Sequence, residues 1–348
     1  MAIRLLFVGE SWLGSCARSL KEALARRADI ELDEISEDAW FPRPRALWLR
    51  ALNRLTADAY RRELGQRVLE RVRALRPDVV MTYKGYSLHA DLILAIQKLG
   101  VRTVNVYPDY SPHAYGLAHR AAVGTYDLVI STKPFHPSNW RATYAYNNLC
   151  AFVPQGYDPI LHLVPEPPSS FEFDVVMVAT YRAEYGRLMR SLARDLGGRN
   201  IRVAVGGYGW EANRKGLPSH WNFPGPTQGR AYVELLRRGR ICVAPLNREV
   251  VIDGKSQPGD VDTTRTYELA AAHCFFLHRY TEYARSLYAK DEVSMYDDGR
   301  ELSALIRYYL DHDNERVAMA TRAHLRAVPA YSLDARAEEI VAVLCQAI

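Results

Sequence analysis

Val153-Pro154-Gln155-Gly156-Tyr157-Asp158-Pro159 and Val164-Pro165-Glu166-Pro167-Pro168-Ser169-Ser170 are the stretch whose reading decides the fold. Proline fixes φ and has no amide proton to give to a strand ladder, so five prolines this close together mark an extended connector. The connector lies at mid-chain between halves of similar length. The 348 residues exceed the roughly 250–300 at which one hydrophobic core stops growing, so two domains are expected. The expected division is a first domain at 1–155, a linker at 156–171, a second domain at 172–330 and a closing helix at 331–348.

On either side of the connector, short apolar runs alternate with segments of helical period. In the first half the runs are residues 3–8, 79–82, 101–106, 128–130 and 151–153. Helical stretches at 13–28, 58–75 and 88–99 lie between them. In the second half, strands are expected at 173–179, 201–205, 222–226, 241–245, 274–278 and 293–296. Helices are expected at 183–196, 229–238, 263–272 (capped by Asp262), 299–311, 314–327 and 333–347. Residues 247–262 read as a long polar loop, and long loops in compact domains tend to be functional. Parallel strands joined by helices form sheets covered on both faces. The expected fold class is therefore α/β, with two Rossmann-like doubly wound domains facing one another across a cleft. Such sheets bind ligands at their carboxyl ends, and a hinge near residues 154–170 would let the two halves close.

Composition narrows the function. Hydrophobic residues make up 48% and charged residues 24%, which excludes a disordered, collagen-like or disulfide-stapled chain. No apolar run reaches the roughly 18 residues of a membrane span, and the N-terminus reads as a first strand rather than a signal peptide. Five scattered cysteines without C-x-x-C spacing suit reduced thiols in a cytoplasmic protein. The net charge of +5 is carried by arginine, since only seven of 45 basic residues are lysine. It forms no basic block, so nucleic acid is not the expected partner. Planar guanidinium groups instead suit phosphates, and an anionic small molecule fits better.

The segment Gly259-Asp260-Val261-Asp262-Thr263-Thr264-Arg265-Thr266-Tyr267-Glu268-Leu269-Ala270-Ala271-Ala272-His273-Cys274-Phe275-Phe276-Leu277 resembles a G-D-x4-R-x-F/Y-E-x-x-A-x-G-x-x-L stretch of GT-B glycosyltransferases. It is most similar to the CgeB-like, spore-maturation group. The likeness spans about residues 172–340, helped by Gly206–Trp210 and Glu282-Tyr283, and over the first 150 residues it is little more than strand order. His273 departs from the pattern, where the family usually has a small residue, often Gly. The resemblance implies the GT-B fold. It also implies transfer of a sugar from a nucleoside-diphosphate donor to a glycan, protein or small-molecule acceptor, without a metal or other cofactor. A sugar-nucleotide epimerase of the same fold and a non-catalytic nucleotide-sugar-binding protein are the alternatives.

Asp260 and Glu268 are eight apart, the spacing of the two-carboxylate motif of retaining GT-B enzymes, which assigns Glu268 to the ribose hydroxyls. The amides at Thr263, Thr264 and Arg265 would open a helix and meet a diphosphate, with the Arg265 guanidinium beside them. By position in the family, Arg182 offsets the leaving diphosphate, with Arg187 as the second choice. Gly207, Tyr208 and Trp210 follow a strand and would wall the pocket, which Gly225 shapes where the base stacks. In the first domain Asp109 or His113 is the expected general base if transfer inverts the anomeric centre. Ser11, Trp12, Gly14 and Lys84 would line the acceptor side. Asp260-Val261-Asp262 spells D-x-D, but in this alignment it belongs to the carboxylate motif, and no metal is expected.

Overall fold

The structure is a computed structural model that describes residues 2–39, 47–85, 87–198 and 200–347. The chain forms two compact units, Met1–Gln155 with Ile252–Lys255 and Leu333–Ile348, and Gly156–Val251 with Ser256–Ser332. The first unit runs β1 (Ile3–Gly9), α1 (Cys16–Ala25), β2 (Ile30–Ser36), α2 (Leu47–Leu75), β3 (Val79–Tyr83) and α3 (Ala90–Gln97). It continues with β4 (Arg102–Tyr107), α4 (Leu117–Thr125), β5 (Leu128–Ser131), α5 (His136–Tyr144) and β6 (Leu149–Phe152). Its six strands lie in the order β2-β1-β3-β4-β5-β6, all parallel.

The second unit runs β7 (Phe173–Val178), α6 (Ala183–Asp195), β8 (Val203–Gly206), β9 (Asn222–Gly225), α7 (Arg230–Arg237), β10 (Gly239–Ala244), β11 (Glu249–Ile252) and β12 (Lys255–Pro258). There follow α8 (Arg265–Ala271), β13 (Phe276–Arg279), α9 (Glu282–Leu287), β14 (Ser294–Tyr296), α10 (Gly299–Asp311) and α11 (Asp313–Ala327). The last helix, α12 (Leu333–Ala347), returns to the first unit and packs on α1. The second sheet, β14-β13-β10-β7-β8-β9, is also parallel. Strand order reverses between β1 and β3 in one sheet and between β7 and β10 in the other, the switch points at which such sheets take ligands. Two Rossmann-like sheets flanked by helices make this a GT-B two-domain α/β fold.

Strand alternation fills both faces of each sheet. In β1, Leu5 and Phe7 pack with Leu20, Leu24 and Ile340, while Leu6 and Val8 pack with Leu64, Val68 and Ile96. In β7, Val175 and Met177 join Met189 and Ile306, while Val176 and Val178 join Val233 and Leu269. Helix α10 starts where Asp298 Oδ1 accepts the amides of Arg300 and Glu301 at 2.8 and 2.9 Å, a side-chain N-cap. Among the described residues, no helix is long and apolar enough to cross a membrane.

Four expectations are corrected. Strand β2 was not anticipated, because Ile30-Glu31-Leu32-Asp33-Glu34-Ile35-Ser36 is a charged edge strand with little of the apolar run that marks its neighbours. The expected loop 247–262 holds the β11–β12 hairpin, closed by Asp253 and Gly254 at φ +51° and +75°, the left-handed pair of a type I′ turn. Asp262 does not cap α8. Its Oδ2 accepts the Tyr267 hydroxyl at 2.8 Å, and Thr264 holds the N-cap place without a side-chain bond. The proline-rich stretch is extended, but it is not a detached connector. Tyr157 is 1% exposed and packs with Tyr267 and Ala271, and the Val164 amide donates to Ala271 O at 3.1 Å. Apolar side chains between the prolines hold the stretch to the second unit.

Candidate active site

In the second unit the loops after β7, β8 and β9 are tied together by backbone. Gly207 sits at φ +122°, and a Cβ there would lie 2.1 Å from Ala179 O, so only glycine lets the two loops approach this closely. Gly207 N donates to Gly225 O at 2.7 Å and Tyr181 N to Tyr208 O at 2.7 Å. Trp210 gives its indole proton to Ala179 O at 2.7 Å, meets Tyr181 edge-on and is fully buried. Its side chain is therefore a support for these loops rather than a wall open to a ligand. Tyr208, 52% exposed, is the accessible ring of the two.

Helix α8 places Glu268 one turn in, 8% exposed. Tyr232 on α7 donates to Glu268 Oε2 at 2.8 Å, and burial with the Glu268 charge holds the Tyr232 phenol far above its usual range, so it keeps its proton. His162 comes from the proline-rich stretch, its Nε2 facing Glu268 Oε1 at 3.8 Å. The Asp158 amide donates to His162 Nδ1 at 3.0 Å, which turns Nε2 toward the carboxylate. Neither His162 nor Tyr232 was among the expected site residues. One lay in an apparent linker and the other is a lone tyrosine on an amphipathic helix, and neither carries a spacing signal.

The expected amide row at the start of α8 is only partly available. Thr263 N donates to Thr266 Oγ1 at 3.1 Å, and α8 is seven residues long, so the guanidinium groups are the main positive charge here. Arg265 Nη2 donates to Pro245 O at 3.2 Å, while its Nε is buried without an acceptor. Burial raises the pKa of the Tyr185 phenol, which also feels Arg265, Arg182, Asp260 and Glu184, so these four charges lie around it. Arg182 and Arg187 are exposed, Asp260 and Thr264 half-buried. His273 takes φ +57°, a left-handed conformation that glycine adopts without steric cost, and its Nδ1 meets Pro165 O at 2.7 Å.

In the first unit the loop after β1 is pinned by Asp38, whose Oδ2 accepts the amides of Ser11 and Trp12 at 2.7 and 2.9 Å. Trp12 Nε1 donates to Glu10 Oε2 at 2.8 Å, and Gly14 lies in the turn into α1. Lys84 and Asp109 come together, with Nζ 3.0 Å from Oδ2, and the Tyr115 hydroxyl donates to the same oxygen at 2.7 Å. Both contacts fall on a single carboxylate oxygen. His113 is half-buried against Tyr144, and burial followed by the Arg120 charge lowers its pKa, leaving a neutral imidazole. Among the described residues there is no cluster of three or more His, Cys, Asp or Glu placed to hold a metal ion.

Residues 182–342 match a family model described as glycosyl transferase-like. Among curated proteins there is no match in sequence. Sucrose-phosphate synthase from Thermosynechococcus elongatus superposes with a TM-score of 0.68 at 13% identity, covering 99% of this chain and 98% of that one. Anabaena HepE in complex with UDP-glucose gives 0.64 at 13% identity, covering 99% and 100%. A putative UDP-N-acetylglucosamine 2-epimerase from Listeria monocytogenes gives 0.61 at 12%, covering 99% and 96%. At such identities the likeness is one of fold. The chain is a GT-B fold protein, and residues 182–342 are where its sequence is glycosyl transferase-like.

Proposed function

We propose that the protein is a glycosyltransferase that moves a sugar from a nucleoside-diphosphate donor to an acceptor, without needing a metal. The observation that carries the reading is Glu268. It is a buried carboxylate at the ligand-binding edge of a Rossmann sheet, held by Tyr232 and faced by His162, inside the stretch that is glycosyl transferase-like. A carboxylate so placed can accept both hydroxyls of a ribose. In this reading Arg182 and Arg265 offset the charge that develops on the leaving diphosphate as the anomeric carbon–oxygen bond breaks. Tyr208 stacks on the base between Gly207 and Gly225, and Asp260 and Thr264 meet the sugar. The sequence 259–277 supports the CgeB-like group within the superfamily.

Ser11, Trp12, Gly14 and the Lys84–Asp109 pair are assigned to the acceptor. If the reaction inverts the anomeric centre, His113 takes the acceptor proton. The complex of HepE with UDP-glucose makes UDP the first nucleotide to try.

The test is calorimetric binding of UDP and UDP-glucose to the whole protein and its Glu268→Gln variant. A true donor at about 100 times its Kd stabilises by about 2.7 kcal/mol, so a thermal shift reports it as well. The variant is expected to keep its melting temperature and lose nucleotide binding. UDP binding unchanged in Glu268→Gln would remove the site assignment. A new sugar epimer would point to the epimerase, and binding without turnover to a binding protein.

A further inference from the structure

A cavity of about 310 Å³ lies within the second unit, between the first turns of α6 and α10 at the carboxyl ends of β10, β13 and β14. Glu268 is not among its walls. Two buried donors on its walls have no acceptor. Tyr296 lines the cavity at 1% exposure with its hydroxyl unpartnered. Arg279 spends Nη1 on Tyr296 O and Asp297 Oδ1 at 3.2 and 2.8 Å but leaves Nε buried and unpaired. Folded proteins leave few buried polar groups unsatisfied. Two on the walls of one cavity, one of them cationic, are what a missing acceptor leaves behind.

The acids nearby do not fill the role. Asp298 is committed to the amides of α10, Glu184 accepts the Arg248 amide at 3.0 Å, and Asp297 is paired with Arg279. Arg187, on the cavity wall, has no ion pair among the described residues. Two donors without an acceptor, beside the unpaired Arg187, select an oxyanion, and the volume stands at the small end of ligand pockets. We propose that this cavity binds a sugar-sized molecule bearing a carboxylate or phosphate, its oxyanion seated on Tyr296 Oη and Arg279 Nε. The proposal needs neither nucleotide nor turnover, so it and the transferase reading can fail separately.

The experiment is calorimetric binding of glucuronate, glucose 6-phosphate, inorganic phosphate and glucose to the whole protein at constant ionic strength. At least one of the two acidic sugars is expected to bind at millimolar concentration, glucose at least tenfold more weakly. A preference between glucuronate and glucose 6-phosphate identifies the oxyanion. Tyr296→Phe removes a hydroxyl that has no partner, so the unliganded variant is expected to melt no lower than wild type. Its affinity for the acidic sugar is expected to fall about tenfold, and Arg279→Gln to lose binding. The proposal is overturned if glucose binds as tightly as the acidic sugars, or if neither acidic sugar binds. It is equally overturned if Tyr296→Phe binds like wild type, or if inorganic phosphate alone matches the sugar phosphate.

Discussion

Glu268 shows what a single residue's neighbours decide. Its carboxylate has one oxygen bonded to Tyr232 while the other faces His162 Nε2 at 3.8 Å, so one of its oxygens is held before any ligand arrives. A hydrogen bond to a charged group contributes about 1.5–3 kcal/mol. Tyr232→Phe removes that bond while leaving the ring in place. In the proposed reading it should weaken UDP binding by about tenfold, and calorimetry that found the affinity unchanged would remove Tyr232 from the site. Glu268 itself was legible in the sequence, because Asp260 stands eight residues before it and Arg265 three before it in a recognisable pattern. Tyr232 and His162 were not legible. They reach the carboxylate from α7 and from the proline-rich stretch, and no linear spacing relates residues that only tertiary packing brings together. Trp210 shows the opposite failure, since glycine-rich surroundings suggested a ligand wall where the indole in fact supports the loops from beneath.

Among elements, the parallel strands were the most legible and the exposed ones the least. Runs such as Val79–Tyr83 and Val203–Gly206 are buried on both faces and so are continuously apolar. Edge strand β2 and the β11–β12 hairpin lack that signature, although Asp253-Gly254 carried the turn chemistry in plain view. The proline-rich stretch was legible as extended but not as packed, because composition reports φ restriction and not what lies beneath a chain. That difference has a measurable consequence. A detached connector is a ready site for proteolysis, whereas residues 157–165 are held by the buried Tyr157, the bond from Val164 N to Ala271 O and the His273 contact with Pro165 O. Limited digestion of the native protein should leave this stretch uncut. Tyr157→Ala, which empties an aromatic-sized space at a typical cost of 3–5 kcal/mol, should expose it. Early cleavage within 157–165 of the wild type would show that these contacts do not hold the stretch.

Across the whole molecule, buried histidines set a pH limit. In the first unit His119 and His136 are held near a pKa of about 4, chiefly by burial, and in the second unit His278 is held near the same value for the same reason. Each folded value lies below the ordinary 6.5. Between about pH 6.5 and 4 the unfolded chain therefore binds protons that the folded chain refuses, and stability falls as pH falls. The effect is complete above about 6.5 and is lost on descending toward 4, at up to about 1.4 kcal/mol per pH unit for each histidine. Aspartates held low by arginine, such as Asp33 beside Arg71 and Asp313 beside Arg316, act only below about pH 4, outside this window. His113 and His273, also lowered by burial, add one partial contribution to each unit. The first unit thus carries two strongly shifted histidines to the second unit's one. Calorimetry from pH 7.5 to pH 5 should show the melting temperature dropping, with the transition of the first unit moving farther. His278→Gln should flatten the slope of the second unit only. Equal displacement of both units, or a melting temperature independent of pH over this range, would mean that these imidazoles already find protons in the folded state.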